Sequence, residues 1–262
     1  MSVSSDSQPA APLGVGAIIA DSFSIFFGNF FKVLALGFVP AFGGVVISGF
    51  ISGWDVTLGT ATPDPADFAV LPQVLTFIAT TALWGIGVAL LVQLAYDAKH
   101  GRSRPLGQYF GPAINAAIPI AVLSMVGAII AGLGFMLLIV PGLWVYGAIS
   151  VLAPAVVFDK VGFGGLGRSF NLTKGYRWPI IGVLIVIGLC TVLINFAAIF
   201  VSGLLLSVLG SGGVVLIVSL IVVAFVYALV YGLSGISVAL IYARLREIKE
   251  GTQISELAAV FD

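Results

Sequence analysis

The stretch WPIIGVLIVIGLCTVLINFAAIFVSGLLLSVLGSGGVVLIVSLIVVAFVYALVYGLSGISVALIYA (178–243) decides the fold, because its 66 residues include no Asp, Glu, Lys, Arg or His. A helix that crosses the hydrocarbon core of a bilayer needs about 20 apolar residues. The stretch is therefore long enough for two crossings. The turn between them is expected at GSGG (210–213), because glycine tolerates the backbone conformations of tight turns.

Three more charge-free stretches lie upstream, and they hold 22, 29 and 54 residues (33–54, 68–96 and 105–158). By length, the first two hold one crossing each and the third holds two. The third is expected to fold back at Pro141-Gly142, since proline lacks a helix donor and glycine permits a turn. The sequence thus predicts six spans, at about residues 32–52, 73–96, 113–139, 142–158, 178–209 and 214–243.

The composition agrees with a chain that lies in lipid. Of the 262 residues, 60% are hydrophobic and 8% are charged, whereas a soluble domain carries about 25% charged residues. The long stretches are apolar at both odd and even positions, which excludes the alternating strands of a membrane barrel. We therefore predict an all-α, polytopic membrane helix bundle with six transmembrane helices and additional interfacial amphipathic helices. Pro40, Pro119 and Pro154 are expected to kink their spans.

The distribution of charge predicts the orientation. If six helices alternate in direction, all eleven Lys and Arg residues fall on one side, and Asp55, Asp64 and Asp67 fall on the other. The positive-inside rule then places both termini in the cytoplasm. We expect a disordered tail over 1–12, a membrane domain over 13–243 and an amphipathic cytoplasmic tail over 244–262. The apolar face of that tail is Ile254, Leu257, Ala258 and Phe261.

Two segments before spans are expected to lie in the membrane interface. LGVGAIIADSFSIFFGNFF (13–31) repeats Ile and Phe at helical spacing, which is typical of an amphipathic helix. The alternative is an extension of the first span. SFNLTKGYRWPII (169–181) aligns without gaps to SFSIFFGNFFKVL (22–34). GQYFGPAINAAIPI (107–120) shows a weaker similarity to both segments. The chain is thus a candidate for three repeated units, with chance alignment as the alternative.

The candidate ligand-binding residues lie in and near the segment RSFNLTKGYRWP (168–179). Arg168, Lys174 and Arg177, with Lys160 just upstream, are candidates to bind the headgroups of anionic phospholipid. The alternative is that these cations only determine topology. The partners that we expect are membrane lipids, with a second copy of the chain or a cytoplasmic protein as further possibilities, and no nucleic acid.

Chemical motifs are scarce in the sequence. We find no catalytic constellation and no Cys/His cluster, so no enzyme activity, metal or cofactor is expected. GFGGLG (162–167) lacks the strand before it and the acidic residue after it that a nucleotide site needs. Asp97 and Asp159 are expected to pair with nearby cations. Gln93, Asn115 and Asn195 are the strongest polar groups of the spans, either lining a polar path or forming interhelical hydrogen bonds.

The run VPGLWVYGAISVLAPAVVFDKVGFGGLGRSFNLTKGYRW (140–178) resembles the YciC-like family of bacterial inner-membrane proteins. It also resembles the membrane domain that accompanies some glycerophosphodiester phosphodiesterases. The residues that carry the resemblance are Pro141-Gly142, Pro154, Asp159-Lys160, Gly162, Arg168-Ser169 and Leu172-Thr173-Lys174-Gly175, with SFSIFFGNFFKVLAL (22–36) and Tyr242, Leu245 and Arg246. The resemblance implies a six-helix protein of the bacterial inner membrane without an established activity. It transfers no catalytic residue, because the phosphodiesterases keep their chemistry in a separate soluble barrel.

These observations lead to one functional expectation and two alternatives. We expect a non-enzymatic membrane protein that acts in envelope or membrane-lipid organisation, through anionic lipid at its cytoplasmic face. The first alternative is a transport or permease component for an apolar or amphipathic solute. The second is a membrane scaffold for a cytoplasmic partner. Apart from Lys32 at the very start of the first, the predicted spans contain no Asp, Glu, Lys, Arg or His, which argues against ion coupling.

Overall fold

The computed structural model describes residues 11–58, 61, 70–99, 101–210 and 213–251, and all regular structure in these ranges is helical. The α-helices are α1 (Val15–Gly28), α2 (Phe30–Ser52), α3 (Trp54–Thr57), α4 (Val70–Lys99), α5 (Phe110–Leu137), α6 (Ile139–Ile149), α7 (Leu152–Asp159), α8 (Gly165–Thr173), α9 (Arg177–Leu209) and α10 (Gly213–Glu250). Short 3₁₀ helices cover Leu106–Tyr109 and Gly162–Gly164.

Six helical segments in the described ranges are long and apolar enough to cross a membrane. They are Phe30–Ser52, Val70–Lys99, Leu106–Leu137, Ile139–Asp159, Arg177–Leu205 and Gly213–Glu250. The predicted all-α fold with six spans is therefore confirmed, and the chain is a multi-pass membrane protein. Helix α10 continues past the predicted boundary at residue 243 as far as Glu250. The predicted tail residues Ile254 to Phe261, Asp64, Asp67 and most of the N-terminal tail lie outside the described residues.

The turn between the third and fourth spans lies earlier than the sequence predicts. The chain breaks at Leu138, whose backbone is extended (φ −164°, ψ 158°), and α6 begins at Ile139. Pro141 is thus in the first turn of α6, where an amide hydrogen would have no helical acceptor anyway. Gly142 lies against Phe135, and a Cβ at Gly142 would overlap the phenyl ring. The Pro-Gly pair therefore starts a helix and lets it approach α5, instead of forming the turn.

The fourth span is interrupted near its middle. Helix α6 ends at Ile149 and α7 begins at Leu152, with Val151 between them at φ −99° and ψ 20°. Pro154 explains the break, because it cannot donate to the carbonyl of Ser150 and its ring collides with that carbonyl in a continuous helix. Pro40 and Pro119, by contrast, lie inside the continuous helices α2 and α5.

Helices α2, α4, α5 and α10 form the centre of the bundle, and α9 lies at its edge. Small residues bring the central helices together. A Cβ on Gly37 of α2 would come 2.9 Å from the carbonyl oxygen of Ala228 on α10. A Cβ on Gly235 of α10 would come 3.0 Å from the Cβ of Leu91 on α4. The bundle therefore depends on these glycines for its close helix contacts.

The segment before the first span is a separate helix, as the amphipathic pattern predicts. Helix α1 ends at Gly28 and α2 begins at Phe30, with Asn29 at φ −122° and ψ 25° between them. Helix α1 lies across α9 and α10, and it buries Ile18, Ser22 and Phe26. The alternative of a straight extension of the first span is wrong.

The segment before the fifth span is also a separate helix, α8. The gap-free alignment of residues 22–34 with 169–181 places Phe30 opposite Arg177, and these are the first residues of α2 and α9. Ser22 and Ser169, which are aligned too, are both fully buried. The weakly similar segment before the third span does not form a separate α-helix, because the 3₁₀ helix Leu106–Tyr109 runs directly into α5. Structural equivalence thus covers two of the three proposed units.

Candidate functional site

The basic residues gather at one end of the bundle, which we call the basic end. It comprises α1, the end of α4, the segment 101–109, the ends of α7 and α10, and α8 with the start of α9. Hydrogen bonds join these parts: Lys32 Nζ lies 2.8 Å from Ser103 Oγ, and Arg244 Nη2 lies 3.2 Å from the carbonyl oxygen of Pro12. Asp55 lies at the opposite end, after α2.

Two arginines of the basic end are fully paired with acidic residues. Arg168 of α8 places Nε 2.6 Å from Asp159 Oδ2 and Nη1 2.5 Å from Glu250 Oε1. Arg246 of α10 places Nε 2.7 Å from Glu250 Oε2 and Nη1 3.2 Å from Asp159 Oδ1. The hydroxyl of Tyr242 donates to Asp159 Oδ1 over 2.6 Å. This network, which we call the ionic clamp, ties α7, α8 and α10 together.

The ionic clamp holds the charge of Arg168. Burial lowers the pKa of Arg168, but its hydrogen bonds to Glu250 and Asp159 outweigh burial and raise the pKa above its usual value. Arg168 is therefore a permanent cation that two carboxylates contact, at Nε and at Nη1. These contacts make Arg168 less available as the predicted headgroup ligand than a cation without an acidic partner. The predicted pairing of Asp159 with a nearby cation is confirmed.

Asp97 and Gln93 also serve the structure of the basic end. Asp97 is 1% exposed, and Arg104 Nε lies 3.2 Å from its Oδ2, as the predicted pairing requires. Gln93 is 3% exposed, and its Nε2 donates to the carbonyl oxygens of Ala89 and Tyr109 over 3.0 and 3.1 Å. Gln93 thus joins α4 to the 3₁₀ helix before α5, which is the interhelical role that the sequence allows.

The other two polar residues of the spans lie apart from Gln93. Asn195 donates Nδ2 to the carbonyl of Thr191 on its own helix, over 2.8 Å. Asn115 is exposed on α5. A cavity between the helices, described below, has none of the three among its lining residues. This cavity is therefore not a polar path formed by Gln93, Asn115 and Asn195.

Three other cations of the basic end form a second group, the cationic corner: Lys174, Arg177 and Lys249. Lys249 Nζ donates to the carbonyl oxygens of Asn171 and Lys174, each over 2.8 Å. These carbonyls belong to the C-terminal end of α8, where a helix favours positive charge. Lys174 and Arg177 are close enough for their positive charges to act on Lys249.

Arg177 is held in the cationic corner by aromatic rings instead of by a carboxylate. Its guanidinium carbon lies 3.7 Å from the ring centre of Trp144 and 5.3 Å from that of Phe170. Such cation–π contacts fix a guanidinium without neutralising it. Within the described ranges, none of the three corner cations forms an ion pair with a carboxylate. The corner therefore carries uncompensated positive charge, unlike the ionic clamp.

Lys174 and Arg177 of the cationic corner are among the ligands predicted from the sequence, whereas Lys249 is not. The carbonyl partners of Lys249 lie 75 and 78 residues away along the chain, so no local pattern indicates the contact. Lys160, the fourth predicted ligand, is exposed at the C-terminal end of α7 with a left-handed backbone (φ 52°). The only signal that could have pointed to Lys249 is its place in the last turn of an unusually long apolar helix.

Comparisons of this chain with protein-family models, with curated proteins and with solved structures found no match. The family resemblance therefore rests on the residues quoted for it above.

Proposed function

We propose that this multi-pass membrane protein binds the phosphate groups of anionic membrane lipids through the cationic corner, and that it acts without catalysis in membrane-lipid or envelope organisation. The observation that supports the proposal most directly is the contrast between the two groups of cations. Arg168 and Arg246 are neutralised by Asp159 and Glu250, whereas the corner cations have no acidic partner in the described part of the chain.

The surroundings of the corner suit a lipid headgroup. Trp178 follows Arg177 in the sequence and is 57% exposed. Trp144 contacts the Arg177 guanidinium group and is 44% exposed. Tryptophan side chains favour the level of the headgroups. On the proposed orientation, with both termini in the cytoplasm of a bacterium, the corner faces the negatively charged leaflet. Each cation there contributes about 1 kcal/mol to lipid binding, which is about a fivefold change in affinity.

Native mass spectrometry of the full-length protein tests the proposal. The variant Lys174→Gln/Lys249→Gln removes two charges from the corner. We expect it to retain at least tenfold less phosphatidylglycerol than the wild type, following from about fivefold per cation. The control Lys32→Gln/Arg102→Gln removes the same charge from the basic end, at positions outside the cationic corner and outside the predicted headgroup ligands. Equal lipid retention by the two double variants would contradict a localised site.

A further inference from the structure

A cavity of about 390 Å³ lies between α4, α5, α6, α7, α9 and α10. Ligand-binding cavities usually measure about 300–1,000 Å³. The cavity lies at mid-depth, because Thr81, Ser124 and Thr191 line it and each stands near the middle of its span. The break between α6 and α7 forms one wall, through Ser150 and Leu152. Binding sites of membrane transporters are often built at such broken helices.

The hydroxyl groups in the cavity differ in what they can offer a ligand. Three of them donate their single hydrogen within their own helix, so only their acceptor capacity is left. They are Ser150 (to Gly147 O, 2.8 Å), Thr191 (to Gly188 O, 2.8 Å) and Ser237 (to Leu233 O, 2.7 Å). Ser124 and Ser234 form no hydrogen bond within the described ranges, so they can donate. A hydroxyl group on a ligand can therefore bind both kinds of lining hydroxyl, because it accepts from Ser124 or Ser234 and donates to the others.

The rest of the lining is apolar or aromatic, and no charged side chain is among the described residues that form it. A charged group at this depth would have no counter-charge, at a cost of several kcal/mol. The ligand is therefore neutral. Phe77 and Tyr146 line the cavity and are each 48% exposed, and the cavity is not enclosed. A ligand can therefore enter sideways from the hydrocarbon of the bilayer, with its apolar part remaining in lipid.

We propose that this cavity binds a neutral lipid whose polar head carries a free hydroxyl group, as in a diacylglycerol. The head lies against lining hydroxyls that include Ser150 at the α6–α7 break and Thr191 on α9, and the acyl chains extend past Phe77 and Tyr146 into the bilayer. The site does not depend on the cationic corner, because none of the corner cations lines the cavity.

The amount of each of three lipids that the protein retains tests the neutral-lipid site. The full-length protein is loaded with dioleoylglycerol, with its O-methyl ether or with dioleoyl phosphatidic acid, and the retained lipid is measured by native mass spectrometry. We expect the wild type to retain dioleoylglycerol, to retain about fivefold less of the ether, which lacks the donor hydrogen, and to retain no phosphatidic acid in the cavity. Retention of the ether equal to that of dioleoylglycerol, or no retention of dioleoylglycerol, would overturn the proposal.

Two variants with matched controls place the bound lipid. Ala128→Phe fills the cavity, and Ala197→Phe adds the same ring on the exposed face of α9. Thr191→Val removes one lining hydroxyl, and Ser207→Ala removes one from the exposed surface of α9. We expect dioleoylglycerol to be lost in Ala128→Phe and reduced about fivefold in Thr191→Val, with both controls unchanged. If Ala128→Phe fails to fold, Thr191→Val decides alone: unchanged retention there refutes the site.

Phosphatidic acid separates this site from the cationic corner. Any phosphatidic acid that the wild type retains should disappear in Lys174→Gln/Lys249→Gln and persist in Ala128→Phe, because it binds at the corner. Phosphatidic acid that is displaced by Ala128→Phe would show an anionic ligand in the cavity and would contradict the neutral-lipid proposal.

Discussion

Arg168 and Arg177 are nine residues apart in the sequence, yet they have different structural roles. The first is held between two carboxylates, and the second lies over an indole ring. Nothing in RSFNLTKGYRWP separates them, because the partners that decide their roles come from distant positions. Asp159 belongs to the preceding helix, Glu250 lies near the end of α10, and Trp144 lies on α6. The identity of a basic residue therefore predicts its charge but not whether that charge is free.

At the residue scale, Arg168→Gln is predicted to destabilise the fold. The substitution leaves the carboxylates of Asp159 and Glu250, which are only 10% and 25% exposed, close together with one fewer counter-charge. We expect the free energy of unfolding to fall by about 1–3 kcal/mol, as when a partner of a buried charged group is removed. The value should lie at the lower end of this range, because Arg168 is partly exposed. Thermal unfolding in mild detergent measures it, with exposed Arg102→Gln as control. An unchanged Tm for Arg168→Gln would show that the ionic clamp contributes nothing to stability.

At the scale of elements, α8 supports the break between α6 and α7. The carbonyl of Ala148, just before the break, accepts the hydroxyl of Ser169 over 2.7 Å. The hydroxyl of Thr173 lies 3.3 Å from the same oxygen and also 2.8 Å from the carbonyl oxygen of Ser169. Both side chains are fully buried. They satisfy a backbone oxygen close to the point where the regular helix ends, and an unsatisfied carbonyl would be costly at this depth. The Ser-x-x-x-Thr spacing in α8 is thus part of what allows the fourth span to be discontinuous.

The double variant Ser169→Ala/Thr173→Val tests that support. It removes both donors and keeps the side-chain volumes nearly constant, so we expect a loss of about 1–2 kcal/mol of stability. We also expect faster hydrogen exchange at the backbone amides of residues 150–153 and 155, because the break loses its hydrogen bonds to α8. Ser207→Ala, on the exposed surface of α9, is the control and should change neither quantity. Unaltered exchange at the break would mean that α8 does not hold it.

Helix contacts at Gly37 provide a second test at this scale. Gly37→Ala places a methyl group 2.9 Å from the Ala228 carbonyl oxygen, so α2 and α10 must move apart. We expect a destabilisation of about 1–3 kcal/mol, as for other overpacked cores. Gly182→Ala on α9 meets no atom within 4 Å and should be neutral or slightly stabilising, through the better helix propensity of alanine. Equal Tm values for the two variants would contradict the close approach of α2 and α10.

The sequence predicts some elements better than others for physical reasons. Charge-free length predicts the number of spans, because a bilayer imposes a minimum length. Proline by itself does not predict a break. Pro154 breaks the helix before it, at the carbonyl that its ring opposes, whereas Pro141 starts a helix and Pro40 and Pro119 lie inside continuous ones. The turn at Leu138 has no turn-forming residue that the sequence could reveal. The packing of Gly142 against Phe135 determines where the chain folds back.

At the scale of the whole molecule, the candidate site depends on contacts that no sequence window contains. The Tyr242–Asp159 and Lys249–Asn171 hydrogen bonds join residues 83 and 78 positions apart. The sequence predicts that the cations share one end, because helices alternate in direction, and the structure brings that end together. The sequence does not predict which cations are neutralised by carboxylates, because that depends on how α7, α8 and α10 meet in space.

Orientation is a further prediction at this scale. In a Cys190→Ala background, Lys160→Cys at the basic end and Asp55→Cys at the opposite end are both exposed positions. The positive-inside rule predicts that a membrane-impermeant maleimide added outside intact bacterial cells labels Asp55→Cys only. Inverted membrane vesicles should give the reverse pattern and serve as the control. Labelling of Lys160→Cys from outside the cell would invert the orientation on which the lipid proposal depends.

The central claim is that the cations of the ionic clamp stabilise the fold, whereas those of the cationic corner bind lipid. The most direct test is to measure how much added lipid raises the Tm. A ligand that binds only the folded protein raises its Tm. Phosphatidylglycerol, but not phosphatidylcholine, should raise the Tm of the wild type and of Arg168→Gln, which starts from a lower Tm. Lys174→Gln/Lys249→Gln should start below the wild-type Tm, because Lys249 loses its hydrogen bonds to the end of α8, and should gain little from phosphatidylglycerol. A full phosphatidylglycerol response in this double variant, or loss of the response in Arg168→Gln alone, would contradict the claim.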